Sequence, residues 1–325
     1  MHAPAHQLVL TAALCLLGAC GGTEDKSDDS AEVSPGGSFG ASEGSVDGEC
    51  PEAVRVGRFV VDQTVDYAFA DGQVSDAVVP TDVRTEVFAE GDCRILRREN
   101  PFCDPPCGGD ETCDLSGTCV PYPTALNVGT VSIRGLSSAV SMEPVEPGNT
   151  YFDTSLANPP WTPGDPLSIS STGGELEAFE MHGYAPDTLA GVPETWTLST
   201  AQDLTIAWAP PTTDAGTEIV LVLRIDMHGT TPSSLECVFP DTGSGVVSSA
   251  TLAALVDAGL TGFPAGELRR RTADHADIDS GSCVEFLARS VQVPDLVEIE
   301  GYTPCRQDAD CPDGQECNEA LERCE

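Results

Sequence analysis

The run Thr217-Glu218-Ile219-Val220-Leu221-Val222-Leu223-Arg224-Ile225-Asp226-Met227 decides how this chain folds. Ile219, Leu221, Leu223 and Ile225 fall on one side of a two-residue repeat, Val220 and Val222 on the other. Only an extended strand turns that period into two faces. Apolar residues on both sides of its first half predict a strand central to a sheet and covered on both faces.

Outward from that run the pattern repeats. Residues 54–61, 65–69 and 85–88 alternate toward the N-terminus, with Asp71-Gly72 and Glu90-Gly91-Asp92 as turns between them. Residues 128–133, 167–169, 204–208, 284–293 and 296–299 continue the series. A single helix stands out after residue 248. Ser249 is its expected N-cap, Leu252, Leu255, Val256 and Leu260 make one apolar face, and Gly259 suits the stop. Short strands, joints rich in Pro and Gly and one helix predict a mostly β protein, a β-sandwich of the Ig-like kind.

The net charge is −38, and Lys26 is the only lysine. Nucleic acid is excluded as a partner, because phosphate binding needs a basic face. Electrostatic docking to an anionic membrane is excluded for the same reason. An acidic excess of this size serves solubility or a salty habitat before it serves a dedicated cation site.

The first nineteen residues carry an apolar run, Leu8 to Leu17, too short to span a bilayer and fit for a signal peptide. It ends in Leu17-Gly18-Ala19-Cys20, which resembles the lipobox of bacterial lipoproteins, although no Lys or Arg precedes the run. The resemblance implies lipidation at Cys20 and a membrane anchor. Gly21, in place of the aspartate that marks inner-membrane retention in that group, implies the outer membrane, on its periplasmic or surface face. Residues 21–49 are Gly, Ser, Asp and Glu, with too few apolar groups to offset ordering entropy, and read as a disordered acidic tether.

Removing Cys15 and Cys20 from fourteen cysteines leaves twelve, an even number that predicts disulfides throughout an exported chain. Eight fall in two short modules, Cys103, Cys107, Cys113 and Cys119, and Cys305, Cys311, Cys317 and Cys324. Cys107-Gly-Gly-Asp-Glu-Thr-Cys113 aligns with Cys311-Pro-Asp-Gly-Gln-Glu-Cys317. Modules this small cannot bury a core, so cross-links must hold them, with first-to-third and second-to-fourth closure expected. Zinc fits less well, since structural sites place two to four residues between paired ligands and these modules mostly place five. The remaining four are expected to pair as Cys50 with Cys93 and Cys237 with Cys283, the latter as the main staple. The domain reading is then a signal peptide over 1–19, a lipidated cysteine and tether over 20–49, an N-terminal β segment over 50–102, a cysteine module over 103–122, a β-sandwich over 123–303 and a second module over 304–325.

Cys113-Asp114-Leu115-Ser116-Gly117-Thr118-Cys119-Val120-Pro121-Tyr122-Pro123, Leu235-Glu236-Cys237-Val238-Phe239-Pro240-Asp241-Thr242-Gly243-Ser244 and the closing module resemble cysteine-rich lipoproteins of myxobacteria and their relatives. The resemblance covers most of residues 50–325. It implies a surface or periplasmic lipoprotein with disulfide repeats and brings no activity with it.

Four constellations bear on chemistry. Asp241-Thr242-Gly243 and Asp279-Ser280-Gly281 share the form of aspartic-protease loops, where paired carboxylates share a proton, but the same triplets are ordinary turn chemistry. Asp226, His228, His182 and His275 could supply a metal site, without any close His pairing in sequence. Asp308, Asp310, Asp313, Gly314 and Glu316 approach a calcium loop, with one residue too many between the second and third acids. Trp161 and Trp196 are candidates for a sugar-stacking platform, while Trp208 reads as core. No nucleophile elbow and no phosphate loop is present. The expectation is a non-enzymatic cell-envelope lipoprotein that binds a protein or glycan or serves a structural role. No cofactor is called for, and calcium is the one ion considered. A carbohydrate-binding sandwich is the alternative, followed by a hydrolase.

Overall fold

The computed structural model describes residues 44–229, 231–278 and 281–325. The signal peptide, Cys20, most of the tether and Asp279 lie outside the described residues. No helix among the described residues is long and apolar enough to cross a membrane.

The protein is a two-layered β-sandwich built on one nine-stranded sheet. In spatial order its strands are Arg84–Glu90, Cys93–Arg98, Ser233–Pro240, Glu218–Arg224, Ala265–Ile278, Ser282–Gln292, Arg55–Gln63, Ala68–Val74 and Tyr151–Asp153. The strand Glu218–Arg224 is central, and Ile219 to Leu223 are all buried. Arg55–Gln63 pairs in parallel with Ser282–Gln292 across most of the chain, Phe59 opposite Phe286 and Val61 opposite Ala288. Residues 50–102 are therefore no separate β segment. Their strands extend both ends of the sheet that residues 218–292 begin, Arg55–Gln63 beside Ser282–Gln292 and Cys93–Arg98 beside Ser233–Pro240.

Since side chains alternate across a strand, register assigns each residue of this sheet to one of two faces. The inner face is apolar and covered in two blocks. Phe59, Val61, Ala70 and Phe286 pack under a four-stranded sheet that contributes Val131, Ile133, Leu167, Ile169 and Met181. Ile95, Leu221, Leu223 and Leu235 pack under the helix Ser249–Ala258 and two small ladders, Thr195–Leu198 with Leu296–Ile299 and Leu204–Ala207 with Ser244–Val247. Gly266 is required beneath one of these ladders, because a Cβ there would lie 2.5 Å from the Trp196 ring. The helix keeps its Gly259 stop, but its N-cap is Ser248, whose Oγ accepts a hydrogen bond from the Thr251 amide at 3.0 Å.

The disulfides follow strand neighbourhood, not sequence neighbourhood. Cys50 pairs with Cys283 and Cys93 with Cys237, which corrects the expected Cys50–Cys93 and Cys237–Cys283 bridges. Cys93 lies directly opposite Cys237 on adjacent antiparallel strands, with Cα atoms 4.0 Å apart. The loops closed span 233 and 144 residues. In the chain-entropy model each is worth about 5 kcal/mol alone. Within the modules, Cys103 bonds Cys113, Cys107 bonds Cys119, Cys305 bonds Cys317 and Cys311 bonds Cys324.

The C-terminal module is clasped to the body. Cys305 is fully buried, the Leu321 carbonyl accepts from the Gly262 amide at 2.8 Å, and Tyr302 Oη donates to the Gly262 carbonyl at 2.6 Å. It is less of an independent appendage than its short disulfide loops suggest.

Candidate functional site

The sequence candidates are drawn into structure one by one. Asp241 is not a catalytic acid. Its carboxylate receives Arg270 Nε at 2.6 Å and Nη2 at 3.0 Å, the Trp208 indole at 2.8 Å and the Thr217 hydroxyl at 2.7 Å. Arg270 is itself 1 % exposed and donates further to the Ala209 and Thr188 carbonyls. It sits on the inner face of Ala265–Ile278, between Leu268 of one apolar block and Ala276 of the other. A carboxylate with every lone pair taken by a buried cation and neutral donors has no vacancy for an attacking water. Its intended partner, Asp279, lies outside the described residues.

The histidine set is dispersed as well. Asp226 Oδ1 accepts from the Thr261 hydroxyl, His228 Nε2 meets Glu322 at 3.1 Å, and His275 Nδ1 lies 3.0 Å from the Gly48 carbonyl. The His182 amide donates to Asp274. Among the described residues, the only groups with metal-ligand spacing are cysteine triplets already closed as disulfides. Of the calcium-loop acids, Asp308 accepts from the Cys317 amide and Asp310 from the Arg306 and Gln307 amides, so both serve to fold the module. Those bonds hold the Asp310 carboxyl below its ordinary range.

Trp161 and Trp196 are not a platform. They are 3 % and 1 % exposed, and each indole donates to a proline carbonyl, of Pro186 and Pro193 respectively. The sugar-stacking alternative loses the residues it was built on.

What the sequence reading missed is the outer face of the nine-stranded sheet. No second sheet covers it among the described residues. Nine of the fourteen arginines line one basin there, of about 630 Å³, together with four carboxylates. Its floor is still apolar: Val60, Leu96, Val220, Val222, Ala273 and Leu287 are all buried. Arginine side chains flank them, those of Arg58, Arg94 and Arg224 partly exposed and those of Arg55, Arg269, Arg271 and Arg289 largely covered. Carboxylates on neighbouring strands tie their guanidinium groups down. Arg94 meets Glu236 at 2.5 Å, Arg58 meets Glu285 at 2.6 Å, Arg289 is bidentate on Asp62, and Arg84 bonds Glu52.

The pairing is incomplete on the arginine side. Arg98 is exposed and makes no side-chain hydrogen bond or ion pair among the described residues. Arg269 Nε is buried without a partner, and Arg271 Nη2, 2.8 Å from Glu218, is misaligned for a hydrogen bond. Register also sets like charges directly opposite each other, Arg84 against Arg98 and Arg271 against Arg289. Such pairs are unfavourable in a sheet. Burial first and then the neighbouring Arg58 push the Arg55 guanidinium below its ordinary value, and it remains charged. The missed signal was legible in outline: Arg94, Arg98, Arg224, Arg269, Arg271 and Arg289 all sit at solvent-side positions of strands in a chain otherwise poor in cations.

No protein-family model matches the chain, and no curated protein matches it. Among solved structures, the FN1–FN3 domains of chicken CNTN1 are similar at 8 % identity over 68 % of this chain and 69 % of that one, with a TM-score of 0.19. A Ca2+-stabilized adhesin with which an Antarctic bacterium binds ice is similar at 12 % identity over 79 % and 76 %, with a TM-score of 0.17. Domains A168–A170 of titin are similar at 7 % identity over 72 % and 76 %, also at 0.17. At these scores the likeness carries no argument about fold or ligand.

Proposed function

We propose that this chain is a lipid-anchored, non-enzymatic binding module of a bacterial cell envelope. One observation carries the reading. The carboxylates and histidines that could do chemistry are engaged in folding contacts, while a broad sheet face with surplus donors stays open. A rigid, cross-linked sandwich is suited to holding such a face in one shape, since preorganisation lowers the ordering cost of binding. The anchor rests on the lipobox-like Leu17-Gly18-Ala19-Cys20. A firm anchor of that kind leaves the folded part free to face its ligand across a polar tether.

The test is a Cys20→Ser variant followed by membrane fractionation and thermal melting. The variant should move wholly to the soluble fraction with an unchanged midpoint. Persistent membrane association would mean that the lipobox is misread or that the folded part itself binds membrane.

A further inference from the structure

We propose that the arginine basin on the outer face of the nine-stranded sheet binds a compact multivalent oxyanion, one carrying two or more phosphate, sulfate or carboxylate groups. The inference rests on the binding-module reading and names the chemistry of its ligand.

Four features converge on it. First, nine arginines gather around the basin in a chain whose net charge is −38, and while seven carboxylates pair with eight of them, Arg98 is left over. Arginine is the side chain that recognises oxyanions in a planar, bidentate manner, and it does so best where it is partly desolvated. Second, one full set of donors remains available, the exposed guanidinium of Arg98, which has no side-chain partner among the described residues. Third, two like-charge pairs stand directly across strand boundaries, Arg84 with Arg98 and Arg271 with Arg289. The carboxylates of Glu52, Glu49 and Glu218 relieve Arg84 and Arg271, but nothing described relieves Arg98. Fourth, the Cys50–Cys283 bridge fixes one side of the rim, so the guanidinium groups are held in place before any ligand arrives.

Size follows from the surroundings. A basin of about 630 Å³ has the volume of a small-molecule site. A long polyanion would have to run from the arginines onto a surface that is acidic nearly everywhere else, where like charge repels it. A ligand short enough to end within the basin meets only the favourable part. Several anionic groups are needed because the guanidinium groups are spread over six strands. One group cannot reach Arg98 on one strand and Arg269 on another three strands away.

The experiment uses two probes on the purified protein, tripolyphosphate and a trisulfated uronate disaccharide, which separate a free oxyanion from an acidic sugar as the source. Binding is measured by calorimetry at low salt, and the tripolyphosphate arm is followed in parallel by phosphorus NMR. Saturable one-to-one binding of either probe is expected. Arg98→Glu should weaken it at least about ten-fold, because it reverses a charge that supports no fold contact. Arg134→Glu, an equal charge change outside the basin, should alter it less than about two-fold. Melting curves of both variants confirm that they are folded. No saturable binding of either probe, or equal loss in both variants, would overturn the anion site. Cleavage of tripolyphosphate in the NMR arm would instead overturn the non-enzymatic reading and leave the site standing.

Discussion

Along the strand Ala265–Ile278, side chains alternate between two environments built from the same residue type. On the inner side Arg270 is enclosed by Asp241, Trp208 and two backbone carbonyls, with every donor directed at an acceptor. On the outer side Arg269 and Arg271, one residue away in each direction, are paired less completely: Arg269 meets Glu267 of its own strand and leaves Nε without a partner, and Arg271 meets Glu49 and Glu218 with Nη2 misaligned for a hydrogen bond. The inner arginine is a structural bolt at the junction of two apolar blocks. The outer ones belong to a paired carpet over apolar residues, and on that same face Arg98 offers an unpaired charge to solvent. The difference teaches that arginine on a sheet is read by the completeness of its pairing: a saturated guanidinium holds a fold, an unsaturated one is available to a ligand.

The comparison is broken most severely at the inner site. Asp241→Ala should cost about 3–5 kcal/mol in urea unfolding, because it leaves Arg270 charged, buried and unpaired. A loss below about 1 kcal/mol would mean that water reaches the pair and that the two faces are less different than the packing indicates. Next in size is the disulfide joining the two strands beside the inner core. Cys93→Ala with Cys237→Ala should cost about 2–5 kcal/mol and lower the melting midpoint by several degrees.

The outer face should reveal itself through pH. Burial pushes the carboxyls of Glu236, Glu267 and Glu52 up, but their arginine partners outweigh it and hold all three below the ordinary glutamate range. A carboxyl depressed in the folded state contributes stability above its unfolded pKa and loses it as pH falls through the folded one. Unfolding free energy should therefore be nearly flat from neutrality to about pH 5 and fall steeply below about pH 4. A double variant, Arg94→Met with Glu236→Met, should reduce that acid slope. Its cost at neutral pH should stay under about 1 kcal/mol, since a partly exposed pair replaced by apolar side chains is close to neutral. The smallest effect is expected for Arg98→Ala, within about 0.5 kcal/mol of the wild type. A larger loss would show that Arg98 has a fold contact, and its surplus charge would then need another explanation.

Much of this architecture could be read directly. The two-residue period of 217–227 marked a central strand because burial on both faces leaves no other pattern. The helix was legible from its apolar spacing and its glycine stop, with the cap displaced by one residue to Ser248. The even count of cysteines once Cys15 and Cys20 are set aside pointed to disulfides, and the twelve close as six bridges. Trp161 stands alone in a turn-rich stretch with no neighbours to show whether it points inward, whereas Trp196 shares a strand face with Leu198, a two-residue period that marked it as core.

Local pattern along the chain determined which segments are strands, which is the helix, and where short cross-linked modules punctuate them, since these depend on side chains within a few residues of each other. Only the tertiary structure decided which strands became neighbours. The pairing of Arg55–Gln63 with Ser282–Gln292 is what joined Cys50 to Cys283 and turned a separate-looking N-terminal segment into part of the main sheet. That pairing, with the pairing of Cys93–Arg98 and Ser233–Pro240 at the other end of the sheet, gathered arginines from positions 55–98 and 224–289 onto one face. Contacts between residues more than two hundred positions apart leave no trace in a local period, because the energy that selects them comes from edges and faces that exist only once the strands have formed.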